Sequence, residues 1–202
     1  HSAHERCDIL IIGAGPAGLA AALAAAPSGA AITLVDDNPQ PGGQIWRDGP
    51  QVVLPALAQQ HRAALARHTN IRLLPGTRVV GLGDSQPGDK APALLLEDAD
   101  RGWTQHSHRI VLCTGARELL LPFPGWTLPG VTGAGALQAL IKAGLDVRGQ
   151  RIVIAGTGPL LLAAAATANK AGATVVRVAE QAPWSALAGF AAQLPRWPAK
   201  AP

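Results

Sequence analysis

Six residues, Gly13-Ala14-Gly15-Pro16-Ala17-Gly18, carry the clearest chemistry in this 202-residue chain. In the pattern G-x-G-x-x-G each glycine has its own physical task. Gly13 permits a tight turn out of a strand, and Gly15 leaves room for a phosphate to approach the backbone. Gly18 lets a helix pack closely on a sheet. The amides at that helix's N-terminus, around Pro16 and Ala17, would then face negative charge with the helix dipole behind them. Asp36 follows 23 residues after Gly13, with Asp37 beside it, where an acid can accept hydrogen bonds from a ribose. Together these residues point to a dinucleotide, against the plainer alternative of a glycine-rich turn with no ligand.

The pattern returns. An offset of 143 residues carries Gly13 onto Gly156, Gly15 onto Gly158, Pro16 onto Pro159 and Gly29 onto Gly172. One internal repeat of this kind is an organisational signal. The second copy departs in two places. Leu161 stands where the third glycine would be, so its helix is expected to sit further from the strand. Ala179 takes the ribose-acid position, and Glu180 comes one residue late. A nicotinamide dinucleotide at Gly156, Gly158, Pro159 and Glu180, and a pocket that is empty or altered for another nucleotide, both stay open.

Other chemistries find little support. Cys7 and Cys113 form neither a CxxC nor a metal spacing and are expected to be buried structural thiols. His106 and His108 alternate on one face of an expected surface strand and are read as solvated, because a metal would need a third ligand. His61 and His68 are likewise read as surface residues. No catalytic residue and no metal site can be named. A net charge of +4 comes from scattered Lys and Arg, which does not indicate nucleic acid. With 48% hydrophobic residues, five Trp, two Phe and no Tyr, the chain can bury a core, and that core must be aliphatic. The apolar stretch from Ile9 to Ala26 is preceded by Glu5 and Asp8 and broken by glycines and a proline. It therefore suits neither a secretory signal nor a membrane span, and a cytoplasmic chain is expected. The opening His1-Ser2 reads as a processed or tagged terminus.

The elements that must position these residues follow from hydrophobic pattern. Cys7–Ile12 reads as a strand buried on both faces of a parallel sheet. A helix runs to about Ala26, and Ala31–Val35 is the second strand. Leu54–His68 has helical spacing. Short strands are expected at 71–74, 77–82, 93–97 and 103–108, forming an antiparallel meander beside the parallel sheet. Arg109–Cys113 returns to the buried-strand pattern and ends in Thr114-Gly115. Pro- and Gly-rich residues 117–132 read as a crossover, followed by a helix near 134–143. Strand 152–155, helix 160–171 and strand 173–178 complete the second unit. The fold class is α/β: a Rossmann-like dinucleotide-binding domain with an antiparallel β-meander, residues 1–118. The crossover and the start of a second Rossmann-like nucleotide-binding domain, residues 119–202, come after it.

GAGPAG, Asp36, Gly42-Gly43-Gln44, the strand ending Cys113-Thr114-Gly115 and the later Gly156-Thr157-Gly158 occur in this order in the two-dinucleotide-binding-domain flavoproteins, which include thioredoxin reductase. The chain resembles that superfamily over nearly its whole length. Gly43-Gln44-Ile45-Trp46-Arg47, Thr114–Glu118 and Pro124–Val131 look like the group formed by the A subunit of opine oxidase, the FAD subunit of hydrogen cyanide synthase and the α subunits of D-hydroxyproline or proline dehydrogenases. The resemblance implies FAD on Gly13–Gly18 with its ribose at Asp36. Gly43 and Gln44 would run along the flavin, Thr114 and Gly115 would pass near the pyrophosphate, and Val79 would present its backbone to the adenine. Arg47 would meet an anionic group of the cofactor or stay a solvated loop cation. It implies further a small amine or amino-acid substrate (opine, hydroxyproline or glycine type) and a partner β subunit in a hetero-oligomer. Two departures qualify this. No redox CxxC faces the flavin, and the late Gly-Asp segment of the superfamily is missing, so the length reads as a fragment's. Two other readings stay in view: a stand-alone NAD(P)H-dependent flavin reductase, and a non-catalytic nucleotide-binding subunit.

Overall fold

In the computed structural model, which describes residues 3–50 and 52–196, β1 (Ala3–Ile12) is the central strand. Its apolar half alternates between two cores. Ile9 and Ile11 face one cluster with Leu19, Ala22, Leu34, Trp46 and Ala58. Leu10 and Ile12 face another with Val35, Leu94, Leu96 and Trp103. A period of two with apolar residues on both sides is what a doubly covered strand requires.

Helix α1 (Pro16–Ala25) follows after a three-residue turn, with Gly15 as its N-cap. It ends in a short 3-10 turn, Ala26–Ser28, closed by Gly29 at φ +73°. Then come β2 (Ile32–Asp36), α2 (Ala56–Leu65), β3 (Ile71–Pro75), β4 (Arg78–Leu82), β5 (Leu94–Glu97) and β6 (Gly102–Leu112). They form one six-stranded sheet in the order β3-β2-β1-β6-β5-β4. The first four strands run parallel, and β5 and β4 are antiparallel additions.

Two details of the meander differ from the sequence expectation. Residues 71–75 do not join it; β3 pairs parallel with β2, Ile32 opposite Ile71. And 103–108 and 109–113 are one continuous strand, because β6 pairs with β1 from Ala3↔Trp103 to Ile12↔Leu112. The polar start of β1 supplies a backbone ladder that the apolar pattern alone does not reveal.

The chain divides into two compact units between Arg117 and Glu118. The second contains α3 (Ala134–Lys142), β7 (Arg151–Gly156), α4 (Leu160–Lys170), β8 (Thr174–Glu180) and α5 (Trp184–Ala191). Its two strands pair parallel. One side of the pair packs on α4 through Ile154, Leu161, Ala164 and Ala165. On α5, which the sequence pattern did not suggest, Trp184 is exposed and no residue is buried. Among the described residues no helix is long and apolar enough to cross a membrane.

Candidate functional site

The C-terminal ends of β1, β2 and β6 converge on the glycine loop. Gly13 adopts φ +100°, and a Cβ there would lie 2.3 Å from the Cys113 carbonyl oxygen. Its N–H donates to Val35 O at 2.8 Å. A Cβ on Gly18 would lie 1.8 Å from Gly13 O, so the helix rests directly on the turn. Gly15 is different: a Cβ there would meet only Gly43 Cα, at 3.9 Å. The space in front of Gly15 is an open cradle that a side chain would fill. No acid lies in the first turn of α1 to oppose an anion.

Gly42 and Gly43 close one side of the cradle. Gly42 N–H donates to Ala14 O at 2.7 Å. Gly43, at φ +58°, brings its backbone so near that a Cβ would sit 3.1 Å from Gly15 Cα. Residues 41–48 are held there by Arg62 of α2, a residue not singled out from the sequence. Its guanidinium donates to Pro41 O, to Trp46 O at 3.2 Å and to Asp48 at 2.9 Å. The only signal for it in the sequence is a cation on the polar face of α2.

Asp36 ends β2 as expected, and its carboxylate grips the glycine loop. Oδ2 accepts from Ala14 N–H, while Oδ1 accepts from Asn38 N–H at 2.8 Å and from Asn38 Nδ2 at 2.7 Å. With 7% of the residue exposed, Asp36 braces the glycine loop. The neighbouring Asp37 is the open carboxylate, 52% exposed and 3.4 Å from Arg117. Asn38 carries the chain of contacts onward: its Oδ1 accepts from Arg47 at 3.1 Å, and Arg47 Nε donates to Gln44 at 3.3 Å. Arg47 is therefore a tether between β2 and the Gly43-Gln44 loop rather than a solvated loop cation. Thr114 and Gly115, at φ +69°, follow β6 at the mouth of the same cradle, with open space around Gly115. Val79 sits on β4 next to a bulge, paired with Leu96.

The second copy of the motif is built differently in two ways. Both its strand and its helix are displaced by one residue relative to the first copy: β7 runs through Gly156 and α4 starts at Leu160 with Pro159 as N-cap. Gly158 takes φ +93° where Gly15 takes −70°. Leu161 fills the space over Gly156, its Cδ2 3.2 Å from where a Cβ would stand. The acid, however, is not late. The pairing steps from Ile152↔Val175 to Val153↔Arg177, leaving Val176 as a bulge. That one extra residue brings Glu180 opposite Gly156. Glu180 Oε2 accepts from Gly158 N–H at 2.8 Å and Oε1 from Ala182 N–H at 2.9 Å. These two N–H groups hold its pKa below the ordinary glutamate value.

The histidines require a correction. His106 is not solvated: it is 1% exposed, with Nδ1 bonded to Asp89 at 2.9 Å and Nε2 to His4 at 3.1 Å. Burial became possible because both ring nitrogens are satisfied. His108 is exposed and lies 3.3 Å from Asp8. Among the described residues no group of three or more His, Cys, Asp or Glu could hold a metal ion. Of the two free thiols Cys7 is buried, with its pKa pushed up by desolvation, and Cys113 is only partly covered.

Comparison with known proteins agrees with this architecture. The A subunit of opine oxidase from Agrobacterium tumefaciens (strain Ach5) is 35% identical over 189 residues, covering 87% of this chain and 37% of that protein. Hydrogen cyanide synthase subunit HcnB of Pseudomonas aeruginosa is 38% identical over 184 residues, covering 85% and 38%. Among solved structures, L-proline dehydrogenase from P. horikoshii superposes with a TM-score of 0.64 at 21% identity, over 89% of this chain and 36% of that one. The chain thus spans little more than a third of the length of these relatives. The family model for pyridine nucleotide-disulphide oxidoreductases matches residues 7–200. With its glycine cradle, its parallel sheet and that match, the chain belongs to the pyridine nucleotide-disulphide oxidoreductase family.

Proposed function

We propose that this chain is the FAD-binding part of an oxidoreductase acting on a small amine or amino acid of the opine, hydroxyproline or glycine type, working with a β subunit. The open cradle between Gly15, Gly43 and the N-terminus of α1 carries the reading. It offers backbone donors, a helix dipole and space shaped for a pyrophosphate. Gly13 and Gly18 shape the turn, and Ala17, beside Pro16 at the start of α1, stays exposed at its mouth. Asp36, which holds the loop through Ala14 N–H, and Asp37 beside it stand as the acids for the ribose. Val79 offers its backbone to the adenine, Thr114 and Gly115 flank the pyrophosphate, and Gln44 with Arg47 lines the flavin side. Bound there, FAD supplies a two-electron acceptor for oxidation of a carbon–nitrogen bond. The relatives named above are subunits, which supports a hetero-oligomer. Two free thiols agree with a cytoplasmic setting.

A second reading, an NAD(P)H-dependent flavin reductase, is favoured by one observation: Glu180 and Gly158 reproduce at β8 the acid-on-loop contact that Asp36 makes at β2. Anaerobic mixing of the FAD-loaded chain separates the two. Bleaching of the flavin by proline, hydroxyproline, glycine or an opine once the β subunit is added supports the first reading. Bleaching by NADH or NADPH alone supports the second. A chain that takes up no FAD overturns both.

A further inference from the structure

We propose that Asn38 is a positioning residue that couples the two ends of the cofactor site. Its amide ties Arg47, on the flavin side, to the two acids on the ribose side. This rests on the reading of the first unit as an FAD site. Three observations carry it. The backbone of Asn38 is pinned on both sides: its N–H donates to Asp36 at 2.8 Å, and its carbonyl accepts from Gly76 N–H at 3.0 Å. Its Nδ2 donates to Asp36 at 2.7 Å and to Asp37 at 3.0 Å, one hydrogen for each carboxylate. And its Oδ1 accepts from the Arg47 guanidinium at 3.1 Å, while Arg47 Nε donates to Gln44 at 3.3 Å.

The residue type follows from these neighbours. Two carboxylates need a donor and a guanidinium needs an acceptor, and a primary amide presents both at once. Turned over, the amide would set its oxygen against Asp36 and Asp37, so it is held one way round. Aspartate at this position would add a third negative charge beside two, and leucine, of similar size, would make none of the side-chain contacts. Both oxygens that hold Arg47 are neutral amide oxygens, which place the cation without cancelling its charge. A fixed cation on the flavin side favours the electron-rich reduced ring over the oxidised one.

The test measures FAD affinity and the midpoint potential of the bound flavin in four chains: the parent, Asn38→Leu, Arg47→Met and the double variant. A thermal melt of each checks folding. Asn38→Leu is expected to bind FAD about tenfold more weakly, the scale of one hydrogen bond to a charged group. Its flavin potential is expected to fall, because Arg47 is no longer held in place. Arg47→Met is expected to do the same, and the double variant no more than either alone, since one residue acts through the other. Asn38→Ser, a turn-compatible residue whose hydroxyl is one bond shorter, is expected to behave as Asn38→Leu and keeps the test open where leucine unsettles the turn. A parent chain that takes up no FAD overturns the FAD reading and this inference with it. Where the parent binds FAD, unchanged affinity and potential in the Asn38 variants overturn the inference alone. A potential that stays put while the melting temperature falls also overturns it and leaves Asn38 a brace of the β2 end. Effects that add in the double variant overturn the coupling between the two residues.

Discussion

Gly15 and Gly18 are three residues apart and both belong to the same motif, yet alanine at each is expected to fail in opposite ways. At Gly18 the new methyl would sit 1.8 Å from Gly13 O and 3.4 Å from Cys113 Cβ. The nearest obstacle is backbone, which cannot rotate away, and forcing it costs about 1–3 kcal/mol or more. At about 2–4 °C per kcal/mol for a chain of this length, the melting temperature should fall by several degrees. At Gly15 the backbone has φ −70°, which alanine adopts freely, and the nearest atom would be 3.9 Å away. There the apoprotein should keep its stability or gain about 0.4–1 kcal/mol through the unfolded chain. The methyl, however, occupies the cradle. Losing one charge-assisted backbone contact to a phosphate costs about 1.5–3 kcal/mol, or roughly tenfold to a hundredfold in FAD affinity. Thermal melts of both variants with and without FAD, together with a fluorescence titration of the cofactor, separate the two effects. Gly15→Ala binding FAD as the parent does would refute the cradle, and Gly18→Ala melting as the parent does would refute the packing argument.

Three further outcomes follow from contacts already described. Arg62→Met removes the donors that hold Pro41 O, Trp46 O and Asp48; residues 41–48 should become sensitive to limited proteolysis and FAD binding should weaken, whereas unchanged proteolysis would show the loop holds itself. Trp103→Ala empties a fully buried position between β6 and the second core, at a cost of about 3–5 kcal/mol read by chemical denaturation. Asp89 is held at about 2, first by Gln86 N–H and then by His106. A carboxylate with a lowered folded pKa stabilises above its unfolded value of about 3.9 and loses that contribution as pH falls towards 2. Asp146, held at about 2 by Arg148, acts in the same window, so the quantity to measure is the difference in acid stability between the parent and Asp89→Asn. That difference should shrink from pH 5 to pH 2, and a constant difference would contradict the pairing.

The β1–turn–α1–β2 unit was legible because every signal in it is local: strand, glycines, apolar helix and acid all lie between Cys7 and Asp36. What escaped depends on residues far apart in the chain. The run 103–108 looks like a half-exposed strand, since its alternation of polar residues gives no hint of burial. The distant β1 and β5 flank it in the sheet, and the loop carrying Asp89 reaches His106. His106 finds its partners at Asp89 and at His4, 102 residues away. That Asp36 braces the glycine loop through Ala14 N–H while Asp37 beside it stays more exposed was equally out of reach. The bulge at Val176 leaves no compositional trace. It could be suspected only from an acid arriving one residue late after a strand that otherwise matches the first copy. In the second unit, then, the offset that looked like a defect in the repeat is absorbed by the sheet.

A flavin held by the first unit is the central claim. The most direct measurement is the absorbance of the purified chain after equilibration with FAD and removal of free cofactor, followed by the mass of what denaturation releases. Two visible flavin bands, about one cofactor per chain and the mass of FAD are expected. A colourless chain, or one that releases a different nucleotide from the first unit, contradicts it.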